Sequence, residues 1–147
     1  MESVKDRFLR YVKIDTESQH HVDKIPSTDK QLVLCRLLRD ELVAIGASDV
    51  ALDPHGYVTA TIPANTTKSA PVVGLLSHVD TVDAVTGANV KPQLTPNYDG
   101  GDIDMGNGYT LSPKAFFFLM MRRPPRSTLL PCTTLLGADD KAGVAEI

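Results

Sequence analysis

"PVVGLLSHVDTVD", Pro71 to Asp83, is the stretch whose reading decides the fold. From Pro71 to Leu76 it is almost continuously apolar, which is the mark of a strand buried on both faces. The run then stops at His78-Val79-Asp80. Side chains at i and i+2 of a strand share one face, so this imidazole and this carboxylate point together. Open α/β sheets build their sites at the carboxyl ends of their strands. A metal-bound histidine is commonly oriented by a carboxylate on its other ring nitrogen, so H-x-D reads as a ligand with its supporting acid. A plainer reading stands beside it, in which Asp80 caps a turn and His78 is a satisfied, half-buried histidine. The pattern is short and common, and it does not decide between them alone.

Working outward, Val4, Phe8, Tyr11 and Val12 recur at helical spacing and predict an amphipathic helix from about Val4 to Lys13. A polar loop follows, Asp15 to Pro26, carrying His20-His21. Thr28 stands three residues before Gln31, a capping-box pattern. Behind it Leu32, Cys35, Leu38, Leu42 and Ile45 form a helical stripe, and Gly46 is placed to end the helix. "DVALD" and "YVTATI" then read as two strands of a hairpin around Pro54-His55-Gly56. Helix, helix, hairpin and buried strand together predict an α/β fold, with helices packed on a mixed, mostly parallel sheet. Thr81 to Pro113 is loop-rich, and long loops in compact domains are usually functional.

Composition narrows the function classes. The chain has 147 residues, 42% hydrophobic and 22% charged, which suits one globular domain with a real core. A net charge of −3 gives no basic footprint for nucleic acid or an anionic membrane. No apolar run approaches the roughly 20 residues of a membrane span, and the N-terminus lacks the apolar core of a signal peptide. Two cysteines, Cys35 and Cys132, make no disulfide framework and no metal-type pair. A reducing, cytoplasmic setting is the natural expectation.

A second motif sharpens the first. "LLGADDKAG", Leu135 to Gly143, sets Asp139 and Asp140 in a small-residue turn leading into a helix. Paired carboxylates there can cap the helix, with Lys141 in a surface ion pair. A carboxylate can also bridge two cations through its two oxygens.

Taken in order, "FLRYVKIDTES", "PSTDKQ", "IPAN", "SHVDT", "YDGGDI", "LSP" and "LLGADDKAG" resemble the N-terminal part of the peptidase T family, tripeptide aminopeptidases among the dinuclear-zinc exopeptidases. The resemblance covers about Met1 to Ala115 and Leu135 to Ile147. It implies that His78 ligates zinc, that Asp80 is the catalytic-site acid orienting it, and that Asp139 rather than Asp140 bridges two zinc ions. It implies a cis peptide between Asp139 and Asp140. It also implies a short peptide substrate with a free N-terminus, hydrolysed by metal-activated water. Related dizinc carboxypeptidases and deacylases share this scaffold and remain an alternative. A non-catalytic metal-binding module is another.

Two departures from the family pattern stand out. The resemblance puts the general-base glutamate, the other zinc ligands and a lid domain beyond residue 147. Residues 1–147 then read as the N-terminal part of a truncated zinc-exopeptidase catalytic domain, not competent alone. Glu146 does not match the family's general base, and His20, His21 and His55 read as surface residues. The second departure is "FFFLMMRRPPRSTLLPCTT", Phe116 to Thr134, which resembles translated sequencing-adapter read-through. The competing reading is a divergent native loop.

Overall fold

The computed structural model describes residues 2–106, 108–115 and 139–147. The adapter-like stretch Phe116 to Thr134 lies outside the described residues, as does the start of the second motif, Leu135 to Ala138.

Helix α1 (Val4–Tyr11) starts where Ser3 accepts a hydrogen bond from the Asp6 amide at 3.1 Å. This satisfies one of the donors that a helix N-terminus leaves open. Its buried face carries Phe8 and Tyr11. Helix α2 (Lys30–Ala44) ends as the sequence predicts. Gly46 takes φ +87°, its amide reaches the Val43 carbonyl at 3.1 Å, and the Ala47 amide reaches the Leu42 carbonyl at 3.0 Å. That pair of bonds is a Schellman motif, which needs a left-handed residue after the helix.

The start of α2 differs from the expectation. Asp29, not Thr28, is the N-cap, and it makes no capping hydrogen bond with its side chain. The Thr28 hydroxyl instead donates to the Glu17 carbonyl at 2.7 Å, tying the polar loop to the helix. A tertiary bond has taken the group that the local pattern assigned to the cap.

Strands β1 (Ser48–Leu52) and β2 (Val58–Thr61) pair antiparallel, as the hairpin reading expects. Asp53 closes the turn, its carboxylate accepting from the His55 amide at 2.9 Å and the Tyr57 amide at 2.8 Å. A second hairpin, β3 (Ile103–Gly106) with β4 (Tyr109–Leu111), emerges from the stretch read as loop. Ile103, Met105 and Leu111 bury there with Tyr98 packed against them. Helix α3 (Lys141–Glu146) follows the paired aspartates.

The mostly parallel sheet is not found among the described residues. Both described sheets are two-stranded and antiparallel. Residues 71–80 form no described strand, and Val72, Val73, Leu75 and Leu76 are exposed. A strand buried on both faces needs hydrogen-bonding neighbours on its edges and packed layers above and below. None of the described residues supplies them. What survives of the parallel pairing is one bridge, Glu17 with Thr81.

The main core joins the two ends of the described chain. Phe8, Tyr11 and Val12 pack with Leu34, Val90 and Ala145, and Val79 and Val144 lean on that cluster. This is what positions the site, because Val79 lies between His78 and Asp80 and Ala145 lies in α3.

Candidate metal centre

The segment from Ser77 to Thr81 is held at its far end by backbone. The Thr81 amide donates to the Thr16 carbonyl at 3.1 Å, and the Ser18 amide and hydroxyl both donate to the Thr81 carbonyl, at 2.8 and 2.9 Å. Val79 packs inward against the core, while His78 and Asp80 face solvent. The period of two expected from a strand therefore holds locally, although no sheet neighbour is described.

His78 sits between two carboxylates. Its Nδ1 lies 3.0 Å from the Asp80 carbonyl oxygen and 3.3 Å from Asp80 Oδ1. Its Nε2 lies 3.5 Å from Asp139 Oδ1. An Nδ1–H donated to Asp80 leaves the Nε2 lone pair turned toward Asp139, the arrangement that orients a ligating imidazole.

The adjacent aspartates face different partners. The Asp139–Asp140 peptide is cis. Asp139 is the outward one, its side chain 78% exposed. Asp140 turns inward as the N-cap of α3, its Oδ1 accepting from the Gly143 amide at 3.2 Å. The Ser77 hydroxyl donates to the Asp140 carboxylate and lies 3.1 Å from the Asp140 carbonyl oxygen. Lys141, which only the capping reading put at the surface, is 1% exposed, and its ammonium donates to the Ile14 carbonyl at 2.6 Å. Arg7 of α1 donates to the Ala145 carbonyl at 3.2 Å and completes the clamp on α3.

The donor set fits part of a zinc site. With zinc bonds of about 2.0–2.2 Å, two donors on one tetrahedral ion stand roughly 3.4 Å apart. The 3.5 Å between His78 Nε2 and Asp139 Oδ1 suits that spacing. A catalytic zinc takes about three protein ligands, and among the described residues no group of three or more His, Cys, Asp or Glu side chains is placed to hold a metal. The other imidazoles lie elsewhere. His20 Nε2 is 3.2 Å from Asp83 Oδ1, and His55 Nδ1 is 3.4 Å from Asp53 Oδ2 in the first hairpin turn.

His78, Asp80, Asp140 and the apolar side chains Leu42, Val58 and Leu75 line one open cleft of about 680 Å³. Two residues at the site were missed at the level of sequence, Ser77 and Gly143. Their one signal was membership in the two motifs, since small residues carry no periodic pattern of their own.

No protein-family model matches the sequence. The chain is 48% identical over 146 residues to "Peptidase T" of Shouchella clausii, covering 99% of this chain and 36% of that protein. It is 51% identical over 144 residues to "Peptidase T" of Geobacillus kaustophilus, covering 97% and 35%. It is 47% identical over 147 residues to "Peptidase T" of Clostridium perfringens, covering 100% and 36%. The chain thus spans about 36% of the length of the curated relatives it matches. Identity near one half over 97–100% of this chain makes it similar to peptidase T over about a third of that protein's length.

Proposed function

We propose that the chain carries part of the active site of a dizinc aminopeptidase that releases the N-terminal residue of tripeptides in the cytoplasm. The observation that supports this reading is the facing pair His78 Nε2 and Asp139 Oδ1, 3.5 Å apart. His78 and Asp139 would hold the metal. Zinc bound there supplies a water acidified toward a pKa of ~7 and a Lewis acid for the scissile carbonyl. Asp80 holds the His78 ring through Nδ1, keeping Nε2 aimed outward. Asp139 carries a second carboxylate oxygen, which would let it serve a neighbouring ion as well. Short peptides are the partners of this reading, with no role for nucleic acid or membrane. Among the described residues no helix is long and apolar enough to cross a membrane.

Two donors for two ions among the described residues do not make a working centre, so the 147-residue chain should bind zinc weakly and hydrolyse no tripeptide. Zinc titration calorimetry and chromatography of tripeptide digests test this. The expected result is weak binding, lost in both His78→Ala and Asp139→Ala, with no product. Zinc binding indifferent to both substitutions would overturn the site. Turnover by the purified chain, abolished by a chelator, would place the catalytic set elsewhere.

A further inference from the structure

We infer that Ser77 and Asp140 form a latch that sets the distance between His78 and Asp139, with Gly143 as the clearance that lets the latch close. The inference rests on the metal-site reading above and assigns positioning roles to residues that contact no metal in it. Each residue of the latch is the chain neighbour of a donor. Ser77 precedes His78, and Asp140 follows Asp139. The Ser77 hydroxyl donates to the Asp140 carboxylate, so one side-chain hydrogen bond spans the two motifs directly behind the facing donors. They are 63 residues apart in sequence, and no backbone hydrogen bond is described between them.

Burial divides the four residues by role. His78 and Asp139 are exposed, whereas Ser77 and Asp140 are half-buried beneath them. The two Asp140 oxygens are divided as well. One caps α3 through the Gly143 amide at 3.2 Å, and the other accepts from Ser77. Asp140 therefore fixes the helix start and the H-x-D segment with one side chain. A Cβ on Gly143 would stand 2.6 Å from both Asp140 Oδ1 and Ser77 Oγ. Any side chain there would force the latch open. The hydroxyl, the second aspartate and the glycine thus form one device, and each is small or short because the approach is close.

The test reads the metal-free chain first. The His78 ring resonances report its surroundings without metal or substrate. Asp139→Asn should shift them, because that carboxylate lies 3.5 Å from Nε2. Ser77→Ala should shift them in the same sense, Gly143→Ala likewise, and Ser77→Thr, which keeps the hydroxyl, should restore the parent spectrum. In zinc titrations Ser77→Ala should lose about tenfold in affinity, the usual scale for a group that orients a ligand, and Ser77→Thr should recover it. His78 resonances unmoved in Ser77→Ala and Gly143→Ala, but moved in Asp139→Asn, would overturn the latch and leave the metal reading intact. Zinc binding insensitive to His78→Ala, with ring shifts as expected, would sink the metal reading and leave the latch standing. Should Ser77→Ala fail to fold, Gly143→Ala reads the same device from the α3 side.

Discussion

Tyr11 bears the contact between α1 and α2. It is 1% exposed, and its hydroxyl donates to one oxygen of Glu41, while Arg10 donates to the other at 2.5 Å. Burial first, and then the bond to Glu41, push the Tyr11 phenol well above its ordinary range. A folded-state pKa above the unfolded one gives stability that is full below the unfolded value of about 10 and is lost as pH rises through the folded value. The melting temperature should therefore fall in strongly alkaline buffer. Lys30, raised by its hydrogen bond to Asp15, contributes a decline of the same sign. Tyr11→Phe should cost about 1 kcal/mol at neutral pH through the lost hydrogen bond and should flatten the alkaline decline. Thermal melts of both proteins between pH 7 and pH 11 check this, and parallel curves would remove Tyr11 as the cause. At this scale the sequence was readable where residues follow a period. His78 and Asp80 share a face because alternate residues do, and Val79 confirms the alternation by packing inward. Ser77, Gly143 and the burial of Lys141 were not readable. Each depends on a partner far along the chain, and local pattern carries no record of such partners.

Elements were most legible where the backbone dictates the residue. Gly46 was readable as the end of α2, and its φ of +87° explains why. A Cβ at Gly46 would meet nothing within 4 Å, so Gly46→Ala isolates the conformational term. It should destabilise the chain by about 1–2 kcal/mol, seen as a lower urea midpoint at unchanged slope. The other end of α2 was misread because Thr28 answers to Glu17 rather than to its own helix. Asp53, read as the last residue of the first strand, closes the hairpin turn instead, and its bonds to the Tyr57 and His55 amides hold its carboxyl below the usual range. The second hairpin was overlooked although Ile103 and Met105 alternate with Asp104. Its strands are short, and the glycines around them read as loop.

Across the whole molecule the sheet was the least legible feature. The apolar run from Val72 to Leu76 announces burial, but which strands flank it is a matter of long-range pairing. In the described residues it stays exposed, with Val72 at 99% and Leu76 at 94%. A contiguous apolar stretch of this kind favours self-association. Val72→Lys combined with Leu76→Lys should raise the soluble yield several-fold while leaving the His78 ring resonances in place. Light scattering and NMR of the same sample check both halves. Replacing residues 116–134 with the matching segment of a curated relative should also improve solubility if that stretch is adapter-derived. Unchanged solubility, with unfolding when the segment is cut out, would mark it as native.

The Lys141 ammonium on the Ile14 carbonyl has a consequence in time. The two residues are 127 positions apart. A ribosome adding about 5–20 residues per second needs roughly 6–25 seconds to travel from one to the other. Throughout that interval Phe8, Tyr11 and Val12 have been made, but Ala145, which completes their core, has not. Leu34 and Val90 can cover part of the α1 face sooner, but the side of that core that Ala145 fills stays open until the aspartate pair and its lysine have been made.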